Sequence, residues 1–301
     1  MKKQPGTSEA AVVARLQRIA VLFHEGDRHR DPSDYIVHHL AECWREDGHH
    51  VDYVYGIRRH VQADVVLVHV NLSVVPSEYL EFAAQYPIAL NARIRDIRKS
   101  TFSRNLVRPG DPWDGPVIVK SDLNYAGVPE RYLSMTALEH RLHGLRRFRK
   151  RIDRLRRRKL PFSGPRDYRI FDRIGDVPDH WFADHDVIVE KFRPEIENGL
   201  YHTRVYQFLG DRSTCTRIGT VNPIVKAERN ARTESIEPDD RVVEWRKSLG
   251  LDYGKLDYVI NDGEAVLLDV NKTTGASRHM NDARLRRMRR YQAEGLYAYF
   301  S

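Results

Sequence analysis

Three oxygen-bearing side chains, Asp257, Asp269 and Asn271, sit on two short apolar runs joined by a turn sequence. The runs are residues 256–260 (LDYVI) and 265–271 (AVLLDVN). Asn261-Asp262-Gly263 between them suits a hairpin turn, because Gly and Asn tolerate positive φ. Side chains alternate along a strand, so Asp269 and Asn271 share a face, and Asp257 on the neighbouring strand joins them. Two carboxylates and an amide oxygen on one face, with apolar residues behind, suit Mg²⁺ held jointly with the phosphates of a nucleotide. With no cation between them the two acids would repel each other. The solvent face of an ordinary hairpin would carry the same residue types.

Cationic residues recur at the ends of other strand-like runs. Residues 115–120 (GPVIVK) end on Lys120 beside the loop SDLNYAG, 121–127, where a lysine can place its ammonium on phosphate oxygens or stand in solvent. Residues 186–192 (DVIVEKF) are a second apolar run, ending around Glu190. Residues 202–210 (HTRVYQFLG) alternate, with Thr203, Val205, Gln207 and Leu209 on one face and Arg204, Tyr206 and Phe208 on the other. An arginine beside two aromatics needs an anionic partner, either a carboxylate of the protein or a ligand.

The order PVIVK, VIVEKF, TRVYQFLG and LDYVINDGEAVLLDVNKTTG resembles the ATP-grasp superfamily, over about residues 99–277. The hairpin is the most specific part. The resemblance is to carboxylate–amine ligases, such as the ribosomal-protein glutamate ligase and D-alanine ligase branches. It implies that Lys99 and Lys120 contact ATP phosphates, and that Glu190 with the backbone of Lys191 and Phe192 meets the adenine. Glu195 or Glu197 would lie near the ribose. Asp257, Asp269 and Asn271 would hold one or two Mg²⁺ ions. Arg204 or Lys255 would stabilise an acyl phosphate. Two features depart from the family pattern: Asp269 stands where Glu is usual, and SDLNYAG has a single glycine.

These residues need a scaffold, and the first third of the chain reads as alternating strands and helices. Strands are expected at 18–23, 51–55, 64–70 and 87–91, and helices at 33–47 and 76–86. The nearly all-apolar 64–70 segment suits a central parallel strand. The expected fold is α/β: a lead over 1–15, a Rossmann-like domain over 16–98 and an ATP-grasp domain over 99–301. The central and lid part would cover about 113–193, and a C-terminal part with α+β character about 194–301. The loop after the first strand, His24-Glu25-Gly26-Asp27-Arg28, lies at a strand's carboxyl end, where open α/β sheets bind ligands.

A chain of 301 residues with 41% hydrophobic content can bury two sizeable cores. No apolar run reaches the roughly 18 residues of a transmembrane helix, and the N-terminus lacks a signal-peptide pattern. Two cysteines, Cys43 and Cys215, make no disulfide framework, so a cytoplasmic location is expected. The adjacent pairs His38-His39 and His49-His50 lack metal-ligand spacing and are expected at the surface.

Charge is concentrated. Residues 141–159 hold eleven Lys/Arg and one Asp, whereas the whole chain has a net charge of +8. Leucines at helical spacing make 136–159 an amphipathic helix with a basic face. That face suits an anionic partner (a carrier protein, acidic substrate or nucleic acid), solvent, or a membrane surface. The expected activity is an ADP-forming ligase that joins a small-molecule carboxylate to an amine through an acyl phosphate. A kinase on the same site, and a nucleotide-binding protein without turnover, are the alternatives.

Overall fold

The apolar runs of the first third become a four-stranded parallel sheet. In the computed structural model, which describes residues 18–145, 161–162, 164–226, 231–276 and 283–300, its strands are β1 (Arg18–Phe23), β2 (His50–Tyr55), β3 (Val65–His69) and β4 (Ile88–Leu90), in the order β2-β1-β3-β4. Its central strands β1 and β3 are buried on both faces, as parallel strands covered by crossover helices are. Alternate side chains of β1 divide between two cores. Ile19, Val21 and Phe23 pack with Ile36, Leu40 and Trp44 of α1 (Ile36–Glu46). Ala20 and Leu22 pack with Tyr79 and Phe82 of α2 (Ser77–Ala83). The C-terminal helix Ala283–Glu294 returns to α1, where Trp44 Nε1 donates to the Ala293 carbonyl at 2.9 Å.

Beyond a short helix, α3 (Lys99–Phe102), an antiparallel sheet β6-β5-β7 is built from β5 (Val117–Ser121), β6 (Arg169–Phe171) and β7 (Val187–Lys191). A third, antiparallel sheet runs β11-β10-β9-β12-β13, with β8 (Glu195–Glu197) also paired to β9 (Leu200–Leu209). Its other members are β10 (Arg212–Thr220), β11 (Arg232–Ile236), β12 (Tyr253–Asn261) and β13 (Glu264–Asn271). The β12–β13 hairpin turns on Asp262 (φ 50°) and Gly263 (φ 75°), the two left-handed residues of a type I′ turn. Asn261 is still a strand residue, paired with Glu264. The register changes from Asp257↔Asp269 to Tyr258↔Leu267, so Leu268 is an extra, bulged residue.

Two expectations need adjustment. Of the basic helix expected over 136–159, the described part is Ala137–Gly144, opened by a Thr136–Glu139 capping box; residues 146–160 lie outside the described residues. His49 is buried rather than at the surface, while His38 and His39 flank Glu42 on α1. Both cysteines are free, Cys43 on a helix and Cys215 on a strand.

Candidate active site

The three sheets meet around a cavity of about 650 Å³, within the range of small-molecule sites. The four-stranded sheet and its loops contribute Arg30, Tyr35 and Asn71; β5 and β7 contribute Lys120 and Glu190. Lys255, Asp257, Asp269 and Asn271 come from the β12–β13 hairpin, and Lys99 from α3.

Each lysine finds an acid. Lys120 stands diagonally across the β5–β7 ladder from Glu190, and its Nζ lies 2.5 Å from Glu190 Oε2. The same Nζ donates to the carbonyl of the bulge residue Leu268 at 3.2 Å. Lys99, only 3% exposed, donates to the Leu123 carbonyl at 3.0 Å and lies 3.2 Å from Asp269 Oδ1. Lys255 Nζ reaches both oxygens of Asp257, at 2.7 and 2.6 Å. Burial alone would lower the Lys99 and Lys255 amines, but Asp269 and Asp257 outweigh it and raise both. Burial alone would likewise raise the Asp269 carboxyl; Lys99, Lys255 and Lys120 hold it below the usual range. The expected repulsion between the two hairpin acids is therefore offset by lysines.

This charge balance leaves oxygen lone pairs open. Glu190 Oε1 is buried without a hydrogen-bond partner, and the buried Asp269 Oδ1 has the Lys99 ammonium 3.2 Å away as an ion pair. Asn271 Oδ1 accepts from the Thr273 amide at 2.8 Å. Among the described residues no group of three His, Cys, Asp or Glu forms a self-contained metal site. The all-oxygen donors of Asp257, Asp269 and Asn271 nonetheless fit Mg²⁺, which binds through one or two carboxylates and takes its other ligands from water and substrate phosphates.

Other expected site residues are placed elsewhere. Thr203 and Val205 face the cavity, so the alternation of β9 turns Arg204 to the opposite face. There its Nε lies 3.0 Å from Glu195 Oε2 and its Nη2 3.0 Å from Oε1. Arg204 does not line the cavity, and its anionic partner is a carboxylate of the protein. Glu197 is exposed and pairs with Arg217 at 2.5 Å, also away from the cavity. Glu195 is buried and occupied by both arginines and by the Ile260 amide. Lys191 and Phe192 line the cavity, but their amide N–H groups already donate to the carbonyls of Asn105 and Pro116, each at 2.8 Å. The Lys191 ammonium stands 5.0 Å above the Trp113 ring.

The cavity also holds residues that periodicity did not single out. Lys226, on the loop after β10, sits near Asp257 and Asp269, and burial lowers its amine despite them. Tyr168 is pushed up to about 12 by burial close to Lys99. The SDLNYAG loop carries three successive left-handed residues, Tyr125 (φ 46°), Ala126 (φ 56°) and Gly127 (φ 71°). Only the glycine is free of strain there, and each of the other two costs roughly 1–2 kcal/mol. Tyr125 is held exposed at the cavity wall. Gly127, two residues on, was the sole signal in the sequence.

No family model and no curated protein matches the chain. Among solved structures it is similar to a D-alanine–D-alanine ligase from Bacillus anthracis, at 11% identity and TM-score 0.47, covering 95% of this chain and 100% of that one. It is similar to a RimK domain ATP-grasp protein from Sphaerobacter thermophilus at 12% identity and TM-score 0.47, covering 94% and 98%. It is also similar to the D-cycloserine synthetase DcsG at 16% identity and TM-score 0.46, covering 94% and 100%.

Proposed function

We propose that the chain is an ATP-grasp enzyme that joins a carboxylate to an amine, with ATP as phosphoryl donor and ADP as product. The observation that carries this reading is the convergence of Lys99, Lys120 and Lys255 on Asp269, Glu190 and Asp257 in one cavity, beside a bulged hairpin. Three ammonium groups surround a place where acidic oxygens remain open, which suits a polyphosphate with its cation. Mg²⁺, when bound, would neutralise charge on the transferring phosphoryl group.

The residues of the chain divide the remaining work. Lys99 and Lys120 position phosphate oxygens, and their burial strengthens each charge-assisted bond. Lys255 lies across the ladder from Asn271 and beside Asp257, where its ammonium offsets the negative charge of an acyl phosphate. The attack of an amine on that acyl phosphate expels inorganic phosphate and forms the amide. The apolar wall of Ile118, Val266 and Leu268 limits water around the activated acid.

Carboxyl-¹⁸O-labelled acids, supplied as a pool with pooled amines and Mg-ATP, test the reading. Transfer of ¹⁸O into inorganic phosphate, dependent on both pools, is expected. ADP formation without ¹⁸O transfer, or with a hydroxyl compound alone, would replace the ligase by a kinase.

A further inference from the structure

Arg30 lies at the cavity wall supplied by the four-stranded sheet, away from the lysine cluster in sequence and in element. Its guanidinium is held in two ways. Nη1 donates to Tyr35 OH at 2.8 Å, and the group stands 4.4 Å over the Tyr132 ring. Tyr35 OH in turn donates to Asp27 Oδ1 at 2.8 Å and accepts from Asn71 Nδ2 at 3.0 Å. Among the described residues no carboxylate lies within ion-pair distance of Arg30, unlike Arg204, Arg217 or Arg290. A guanidinium has five donors in a rigid fork; here one is committed to a hydroxyl and the group lies over the Tyr132 ring, with the Tyr35 ring 5.3 Å away. The rest of the fork is a pre-oriented receptor for a carboxylate.

The wall is joined to the hairpin by short bonds. Thr273 Oγ1 donates to Asn71 Oδ1 at 2.7 Å, and the Thr273 amide donates to Asn271 Oδ1 at 2.8 Å. The Ile36 amide donates to the Thr274 carbonyl at 2.9 Å, and the Ala276 amide to the Asp34 carbonyl at 2.7 Å. The segment after β13 is thus pinned beside Tyr35, and Arg30 and Asn271 face one continuous space.

We propose that Arg30 is a specificity-determining residue that holds a non-reacting carboxylate, and that the substrate at this end of the cavity is a small amino acid with its carboxylate free. The proposal rests on the ligase reading in naming the substrate class of that same cavity. Tyr35 is a positioning residue, since it fixes the fork without facing a second acceptor of its own.

Saturation-transfer NMR tests this without requiring turnover. Pools of free amino acids, and matched pools of their carboxamides, are added with Mg-ADP to wild type, Arg30→Met and Arg30→Lys, each checked by thermal melt. Wild type is expected to show transfer to at least one free amino acid and not to its carboxamide. Arg30→Met should weaken that binding by about ten- to hundredfold, the loss of a hydrogen bond to a charged group. Arg30→Lys should recover part of it, since charge is kept and the fork is lost. Equal transfer to the carboxamides, undiminished binding by Arg30→Met, or no free amino acid bound by wild type would overturn the proposal. The ¹⁸O experiment reports on the ligase reading separately, so either can fail alone.

Discussion

Two clusters of acids and bases lie against opposite faces of the sheet that carries β9 and the β12–β13 hairpin, and they are closed to different degrees. On one face Glu195 accepts from Arg204, from Arg217 and from the Ile260 amide, so its oxygens are saturated. On the other face Lys99, Lys120 and Lys255 balance Asp269, Glu190 and Asp257, but leave Glu190 Oε1 without a hydrogen bond. The difference follows from side-chain shape. A guanidinium fork occupies a carboxylate in two directions at once, while an ammonium is a point charge that neutralises without enclosing. Arginine–glutamate pairs staple the sheet, and lysine–acid pairs balance charge without enclosing the carboxylates.

Breaking the lysine side should have the largest effect. Lys99→Met removes the nearest cation from the half-buried Asp269 carboxylate, and should cost about 3 kcal/mol of stability in urea unfolding, the low end for breaking a buried pair because Asp269 keeps some contact with solvent. A loss below 1 kcal/mol would mean that Lys255 and Lys120 suffice.

A second test uses pH. Burial raises Asp27 from an ordinary 3.8 to about 6, opposed by Tyr35 and Arg30. An acid raised in the folded state keeps its proton after the unfolded chain has lost its own. Its contribution is therefore most favourable below about pH 4 and is lost as pH rises to about 6. Asp27 is 2% exposed, so the full shift applies, on the order of 2–3 kcal/mol. Asp27→Asn should be more stable than wild type at pH 7.5 by about that amount, with the difference vanishing near pH 4. Parallel melting curves at both pH values check this; an equal difference at pH 4 and pH 7.5 would mean that Asp27 titration is not its cause.

The staple comes next. Glu195→Gln should cost about 2 kcal/mol, since two arginines lose a charged acceptor, and chemical denaturation reads the loss. Lys226→Met should change stability least. Its amine is lowered by burial and has no ion pair within reach among the described residues, so removing it should raise stability by about 1 kcal/mol or less.

Much of the scaffold was legible in the sequence because apolar alternation fixes both strands and faces. β1 ends where the apolar run does, and the two faces of β9 separate as its alternation requires. Alternation did not say which face of β9 meets the cavity, and the resemblance to two ligase branches left Arg204 and Lys255 as alternatives. β10 and β11, with sequences RSTCTRIGT and RTESI, are too polar to announce themselves; they form by pairing with β9 and with each other. The hairpin acids were readable from spacing. The bulge at Leu268, which offers a carbonyl to Lys120, depends on register, and Lys226 depends on how a loop folds back. Neither leaves a local pattern.

The central claim is that the lysine face binds nucleotide and the arginine face does not. Calorimetric titration of Mg-ATP into wild type, Lys120→Met and Glu195→Gln tests it most directly. Wild type and Glu195→Gln should bind alike, and Lys120→Met should bind about ten- to hundredfold more weakly. Undiminished affinity in Lys120→Met, or lost affinity in a folded Glu195→Gln, would contradict the account.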